Sequence, residues 1–247
     1  MELNLSTRTS FSLPAVVDSH GWASLAPFGT NEEHTELTYV ALLSTGRVIQ
    51  LVIHEAGDGV TIEVDSALTE DERAEVAGNV EWMLELEQDF SDFYALARGE
   101  PKLAHVVEQA RGRILRSPTL FEDTVKTVLT TNTSWGGTIR MVEGLVSRFG
   151  QPLPADPTRH AFPTPAQLAA SDETSLRSAA GVGYRAPYVL ELAEAVARGS
   201  LDLESLRTTD VPTAELRQQL LAIKGVGSYA AANLLMLLGR YDFVPVD

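Results

Sequence analysis

A glycine turn between two apolar helical patterns constrains this 247-residue chain more than any other feature. Gly225-Val226-Gly227 ends a helical pattern that begins near Thr213, and a second helical pattern follows at residues 228–238. Glycine permits positive φ and the close approach of another backbone. The first N–H groups of the following helix have no partner within the helix. The sequence therefore predicts a helical hairpin whose turn offers backbone donors to an anion.

The turn alone is a weak signal, because many such turns only connect two helices. A second copy, Gly181-Val182-Gly183-Tyr184-Arg185, begins 44 residues earlier. What distinguishes the later copy is Val244-Pro245-Val246-Asp247, which puts a carboxylate 20 residues beyond Gly227. This spacing makes Asp247 a candidate catalytic acid, with an inert loop residue as the alternative.

Residues 221–247 resemble the helix-hairpin-helix (HhH-GPD) superfamily of DNA glycosylases, in which the hairpin grips a DNA phosphate and an Asp after a Val-Pro-Val-like strand lies at the scissile bond. Residues 120–143 and 181–188 look like the 8-oxoguanine glycosylase branch. At the position where strand-cutting members have a nucleophilic lysine this chain has none, and in this it resembles the 3-methyladenine glycosylase II branch. The resemblance is clear over residues 100–247 and only general before them. It implies a base excision repair enzyme acting on double-stranded DNA that contains a damaged base.

The resemblance also implies roles for individual residues. Asp247 would stabilise the positive charge that develops on the sugar, or activate water. Asn132 takes the position from which family members push a side chain into the stack after base extrusion, although Thr and Asn also commonly end helices. The implied DNA contacts are Lys224, Gly225, Val226, Gly227, Ser228, Asn132 and Thr133.

Aromatic residues give more ambiguous signals. Trp135 and Tyr229 could stack on an extruded base, with packing in the core as the alternative. Tyr184 and Tyr188 are four residues apart, and we expect them to pack on one helix face. Arg185 could help to place the backbone or the base pocket.

Tyr229 also limits the chemistry. Family members that cut the strand have a lysine four residues after the first hairpin glycine, and its amine forms a Schiff base. This chain has Tyr229 there, and Lys224 precedes the turn. We therefore expect a monofunctional enzyme in which water replaces the base. The substrate is left between oxidised and alkylated purines, and we favour alkylated or otherwise damaged purines.

Composition excludes several classes of site. The chain has no cysteine, which rules out a cysteine-ligated iron–sulfur cluster or zinc site, and its five dispersed histidines have no metal-ligand spacing. We expect no cofactor, apart from a monovalent cation at the hairpin. No apolar run reaches 18 residues and Met1 starts no basic segment, so we expect a cytoplasmic monomer without a membrane partner, nucleoid-associated in a bacterium.

The net charge of −15 is unusual for a DNA-binding protein, which normally presents a basic surface. The first 100 residues hold 4 basic and 19 acidic residues, and the rest hold 15 of each. The neutral second part therefore carries the expected DNA interface, and low affinity for undamaged DNA follows. A local basic surface, or merely a solvated exterior, is expected from Lys102, Arg111, Arg113, Arg116, Lys126, Arg140 and Arg148.

Hydrophobic patterns predict an α+β fold. Strand patterns at 37–43, 48–53 and 60–64, joined by short turns, predict an antiparallel sheet. Thr69 and Glu72 form a capping box that opens a long acidic helix to about Arg98. Beyond Pro101 apolar spacing predicts helices near 102–112, 119–131, 135–149, 165–179, 184–198, 213–223 and 228–238, with a proline-rich surface loop before the fourth.

The expected architecture is an N-terminal antiparallel β-sheet domain with a helix over residues 1–100, followed by an all-α helix-hairpin-helix domain over residues 101–247. Family members continue beyond the catalytic acid, so we expect that domain to be truncated at its C-terminus. A terminal Asp247 would also bear the α-carboxylate, whose charge would alter its pKa. Two noncatalytic alternatives remain: a phosphate-gripping DNA-binding module, and a scaffold whose acidic first half docks a basic partner.

Overall fold

The computed structural model describes residues 1–243, except for the side chain of Ala179. The predicted catalytic Asp247 lies outside the described residues, as does the Val-Pro-Val segment before it. The chain forms two compact units, the first from residues 1–118 with 153–161, the second from residues 119–152 and from residue 162 onward. The predicted boundary at residue 100 differs from this division, which assigns 101–118 and 153–161 to the first unit.

The predicted antiparallel sheet is confirmed in the first unit. Its strands pair in the order β1-β5-β4-β3-β2 and are β1 (Glu2–Ser6), β2 (Phe28–Thr30), β3 (Glu36–Leu42), β4 (Val48–Ala56) and β5 (Gly59–Val64). Between β3 and β4, Leu37 lies opposite Ile53 and Tyr39 opposite Leu51. All four side chains are buried. Because alternate residues of a strand point to one face, they form the core on one side of the sheet.

The second face of the sheet is covered by a short hairpin, β6 (Pro152–Leu153) and β7 (Asp156–His160). Leu153 and Ala161 are buried and pack against Val40 of β3. The prediction of a surface loop here was wrong. The many prolines of this segment are typical of a loop. Two apolar residues among them, Leu153 and Ala161, nevertheless attach the segment to the sheet.

Helices of the first unit are α1 (Leu13–Val17), α2 (Glu70–Met83), α3 (Ser91–Gly99) and α4 (Ala104–Glu108). The predicted capping box of Thr69 and Glu72 is present at the start of α2. The prediction of one helix to about Arg98 was wrong, because α2 ends before Glu85. That residue has φ of 51° and its buried carboxylate pairs with Arg116.

The second unit is built from helices, as predicted. They are α5 (Leu120–Thr130), α6 (Trp135–Phe149), α7 (Pro165–Ala169), α8 (Glu173–Ala179), α9 (Ala186–Ala197), α10 (Thr213–Leu221) and α11 (Ser228–Leu237). Helix α5 packs against α6, α9 and α11. The predicted helix 165–179 is two helices, because Asp172 caps α8 at its N-terminus. The α+β class is confirmed.

The predicted basic surface is wrong in part, since three of its seven residues are buried. Arg113, Arg116 and Lys126 are at most 7% exposed. Lys126 Nζ lies 2.6 Å from Glu122 Oε1 one helical turn earlier, in an ion pair closed to solvent. A buried cation that already has a partner is not available to a phosphate. The exposed members are Lys102, Arg111, Arg140 and Arg148.

Candidate functional site

The turn between α10 and α11 has the geometry that its glycines predict. Ile223 and Val226 are buried and anchor the turn, and the Val226 N–H donates to the Ile223 carbonyl at 3.0 Å. Gly225 has φ of +89°, and a Cβ atom there would lie 2.9 Å from the side chain of Tyr188. Both the backbone conformation and the close approach of α9 therefore require glycine at position 225.

The other side of the turn is open to solvent. Gly227 is the N-cap of α11 and has no side chain to accept from the first N–H groups of the helix. Gly227, Ser228 and Tyr229 are exposed, and a Cβ atom at Gly227 would meet nothing within 4 Å. These unpaired donors and the positive end of the helix dipole favour an anion such as a phosphate.

Lys224 lies at the rim of the turn but already has a partner. Its Nζ is 2.6 Å from Glu191 Oε2 on α9, and both side chains are more than half exposed. The hydrogen bond to Glu191, and then the carboxylate charge, raise the pKa of Lys224 above its usual value. Glu191 has no signal in the sequence, because it lies 33 residues from Lys224.

The loop between α5 and α6 presents Asn132 at the surface. Thr131 caps the C-terminus of α5, and Asn132 follows with φ of 48°. The Asn132 side-chain amide donates to the Tyr184 hydroxyl at 3.4 Å, which lowers the pKa of that phenol. Asn132 and Thr133 are exposed, so the structure puts a helix end and an accessible side chain at the same place.

Arg185 is buried beneath this loop. Only 5% exposed, it donates from Nη2 to the Thr131 carbonyl, and its guanidinium lies 4.5 Å from the Tyr184 ring centre. Tyr184 and Tyr188 meet edge to face at 6.4 Å, which confirms their predicted packing. The sequence pointed to this segment through its second Gly-x-Gly, but an arginine in a turn gives no signal of burial.

The two aromatic residues predicted for a base pocket are on the surface. Trp135, the first residue of α6, is 41% exposed, and Tyr229, the second residue of α11, is 43% exposed. The alternative of core packing is therefore not what the structure shows. Their rings are accessible to a planar ligand.

The described residues also bear on metal binding, membrane crossing and cavities. Among residues 1–243, no three His, Asp or Glu side chains come together as candidate metal ligands. No helix in that part is long and apolar enough to cross a membrane. A surface cavity of about 440 Å³ in the first unit is lined by residues around Thr7 and Asp58, and it contains none of the predicted site residues.

Comparison with known sequences gives consistent matches. A family model described as HhH-GPD superfamily base excision DNA repair protein matches residues 125–247. A probable N-glycosylase/DNA lyase of Methanothermobacter thermautotrophicus is 27% identical over 190 residues, covering 68% of this chain and 59% of that protein. A DNA-3-methyladenine glycosylase of Bacillus subtilis is 25% identical over 178 residues, covering 71% and 58%. The chain thus spans about three fifths of the length of these curated relatives.

Solved structures share the fold over almost the whole chain. The 3-methyladenine DNA-glycosylase of Archaeoglobus fulgidus superposes with a TM-score of 0.76 at 20% identity, covering 97% of this chain and 80% of that one. An 8-oxoguanine glycosylase/lyase of Clostridium acetobutylicum gives 0.73 at 21% identity, covering 96% and 78%. At this level of identity the likeness concerns the arrangement of sheet and helices.

Proposed function

Because the chain belongs to the HhH-GPD superfamily of base excision DNA repair proteins, we propose that it is a monomeric DNA glycosylase. It extrudes a damaged purine from double-stranded DNA and hydrolyses the N-glycosidic bond with water. The exposed N–H groups of Gly227, Ser228 and Tyr229 support this proposal, since they can hold a phosphate of the damaged strand. Lys224, Gly225 and Val226 complete the proposed contact.

Extrusion needs a side chain to occupy the vacated space in the stack. We assign this role to Asn132, with Thr133 beside it, because both are exposed in the loop between α5 and α6. Asn132 has a left-handed backbone conformation, with φ of 48°, directly after the end of α5. The loop would enter the duplex while the hairpin holds the backbone.

The observation that carries the monofunctional proposal is the position of the three lysines of the chain. Lys126 is buried against Glu122, and Lys102 precedes the residues that the family model matches. Lys224 lies before the turn, where its amine pairs with Glu191. Tyr229 takes the place of a nucleophilic lysine, and its phenol cannot form an imine.

Asp247 is the proposed catalytic carboxylate. Cleavage of the N-glycosidic bond builds positive charge on the sugar, as in other glycoside hydrolyses. A carboxylate beside the sugar stabilises that charge and can accept a proton from the attacking water. Water then adds to the sugar carbon as the base leaves with the bonding electron pair.

For the substrate we favour an alkylated purine. Alkylation of a purine ring nitrogen makes the base cationic, and a cation is attracted to the faces of electron-rich rings. Trp135 and Tyr229 offer two such exposed rings. The Bacillus subtilis relative is named for 3-methyladenine, which supports the same class. Oxidised purines are the second candidate, because residues 120–143 and 181–188 resemble the 8-oxoguanine glycosylase branch.

We propose no cofactor apart from a monovalent cation at the hairpin. The chain has no cysteine for an iron–sulfur cluster. Backbone carbonyl groups of the turn after α10 are the neutral oxygen ligands that we assign to such a cation. When bound, it would add positive charge next to the phosphate.

Borohydride trapping on a duplex with an alkylated purine tests the proposed chemistry. The parent chain should give no covalent complex, because no amine reaches the sugar. Tyr229→Lys introduces an amine four residues after Gly225 and should give a trapped complex. Tyr229→Phe is the matched control, since it keeps the ring without an amine. A trapped complex with the parent chain would contradict the monofunctional proposal.

A further inference from the structure

Helix α9 and the turn before it touch both parts of the proposed DNA-binding site. Tyr184, Tyr188 and Glu191 follow one another at spacings of four and three residues, which places them along one face. Tyr184 accepts a hydrogen bond from Asn132, Tyr188 packs on Gly225, and Glu191 pairs with Lys224. This stripe spans about 10 Å along the helix axis. It links the Asn132 loop to the hairpin turn.

Arg185 is the anchor at the loop end of this stripe. The Thr131 carbonyl is at the C-terminus of α5, where carbonyl groups have no partner within the helix. Arg185 Nη2 donates to it from a buried position, and Nη1 lies 3.6 Å from Met141 Sδ on α6. One guanidinium therefore contacts both helices that flank the loop. Tyr184 covers the face of the same guanidinium.

The conformation of Asn132 needs such support. A non-glycine residue at positive φ is less stable than one in the ordinary helical or extended regions, and it persists where neighbouring contacts fix it. The Asn132 side chain donates to Tyr184 at the long distance of 3.4 Å. The residue before it is held more firmly, through its carbonyl, by Arg185.

We propose that Arg185 is a positioning residue that holds the Thr131 carbonyl and thereby keeps Asn132 in its left-handed, exposed conformation, from which its side chain would enter the DNA stack. This inference rests on the function proposed above. The planar fork of a guanidinium can reach the carbonyl and the sulfur atom at once, whereas a lysine ammonium is a point donor. Arg185→Lys should therefore preserve the charge but release the loop.

The first test compares Arg185→Lys with Arg198→Lys, a matched control at the exposed C-terminus of α9 whose side chain pairs with Glu194. We expect single-turnover base release by Arg185→Lys to fall about tenfold, the effect of losing one charged hydrogen bond. Binding of undamaged duplex should be unchanged, because the hairpin is intact. Equal release rates for both variants and the parent would overturn the proposal.

A double-mutant cycle with Asn132→Ala separates positioning from a general structural role. If Arg185 acts through Asn132, the double variant should release base at the rate of Asn132→Ala alone. If the losses in release rate of the two single variants multiply in the double variant, Arg185 acts independently of Asn132. That result would overturn the proposal. If Arg185→Lys fails to fold, Tyr184→Phe takes its place in the cycle, since it removes only the hydroxyl that accepts from Asn132.

Amide hydrogen exchange of the DNA-free chain distinguishes this inference from the proposed function. Residues 128–134 should exchange faster in Arg185→Lys than in the parent chain, while the hairpin should exchange equally in both. Unchanged exchange in the loop would overturn the positioning role whether or not the chain releases a base. Faster exchange with a parent chain that releases no base would count against the glycosylase proposal alone.

Discussion

The pair formed by Lys224 and Glu191 sets the charge at the hairpin at the scale of single residues. In our proposal Lys224 meets a phosphate, but Glu191 Oε2 lies 2.6 Å from its amine. A phosphate must therefore compete with a carboxylate that the protein supplies. Exposed ion pairs of this kind are weak, so a DNA backbone held by the adjacent N–H groups can displace Glu191.

Replacing Glu191 by Gln should strengthen binding to undamaged duplex. We expect the dissociation constant to fall about threefold, because an exposed pair contributes little, and the salt dependence to steepen by about one charge as Lys224 engages a phosphate. Fluorescence anisotropy over a salt series measures both. Glu173→Gln on α8, which frees Arg177 instead, is the control. Identical salt slopes for the two variants would show that Glu191 does not restrain Lys224.

In the first unit, the carboxylate of Glu72 is a single group that joins several parts of the chain. Its carboxylate accepts from the Thr69 backbone N–H at 3.0 Å, the Thr45 hydroxyl at 2.8 Å and Arg47 at 2.6 Å. The backbone hydrogen bond comes first among the causes that lower its pKa, followed by Thr45 and the charge of Arg47. One side chain thus ties the start of α2 to the turn between β3 and β4.

A pH-dependent loss of stability should follow from Glu72→Gln. A carboxyl group whose pKa is lowered by folding stabilises the protein above its unfolded pKa, about 4.3, and this contribution disappears as the pH falls through the folded pKa. The midpoint of urea unfolding should therefore be lower for the variant at pH 7 and converge with the parent in acid. Glu70→Gln, exposed in the same helical turn, is the control. A difference in unfolding midpoint between Glu72→Gln and the parent chain that persists in acid would contradict this explanation.

At the scale of elements, the two hairpin glycines have different reasons to be glycine. Gly225 is fixed by its positive φ and by Tyr188, whereas Gly227 has φ of −89° and open space where a Cβ would lie. Only the first reason concerns the folded chain. The second concerns whatever approaches the exposed N–H groups, which is the phosphate in our proposal.

Alanine substitutions should separate these reasons. Gly227→Ala should melt at the temperature of the parent chain but bind duplex about tenfold more weakly, because the methyl group obstructs one hydrogen-bonded phosphate. Gly225→Ala should lower the melting temperature as well, since a left-handed alanine costs roughly 1–2 kcal/mol. Calorimetry and anisotropy measure the two effects. Undiminished DNA binding by a folded Gly227→Ala would exclude a phosphate at the turn.

The sequence predicted those elements whose signals are local. The hairpin turn, the strands and the Thr69 capping box each depend on residues within a few positions of one another. The break before Glu85 depends on Arg116, and the burial of Lys126 depends on distant residues such as Phe162, whose ring centre lies 5.8 Å from the amine. The chain brings these partners together only on folding. The polar residues of α5 predict a solvent-exposed helix face. They are buried instead, because α5 packs against α6, α9 and α11. Roles for Arg185 and Glu191 were hidden for the same reason.

At the scale of the whole molecule, the charge is unevenly distributed. The first 100 residues hold the entire excess of acidic residues, and the remainder is balanced. In the second unit, cations pair with carboxylates at Lys224, Arg177 and Arg198. Long-range attraction to DNA should therefore be weak, and in our proposal recognition relies on hydrogen bonds from the hairpin and on extrusion of a base that is already destabilised.

The most direct measurement is base release from duplexes that carry single alkylated, oxidised or deaminated bases, with alkali added to half of each sample. We predict strand breaks only after alkali, greatest for an alkylated purine, and a loss of at least about 100-fold in Asp247→Asn with DNA binding retained. Breaks without alkali would contradict the monofunctional chemistry. No breaks in either half, with binding retained, would contradict the glycosylase proposal and leave a noncatalytic DNA-binding module.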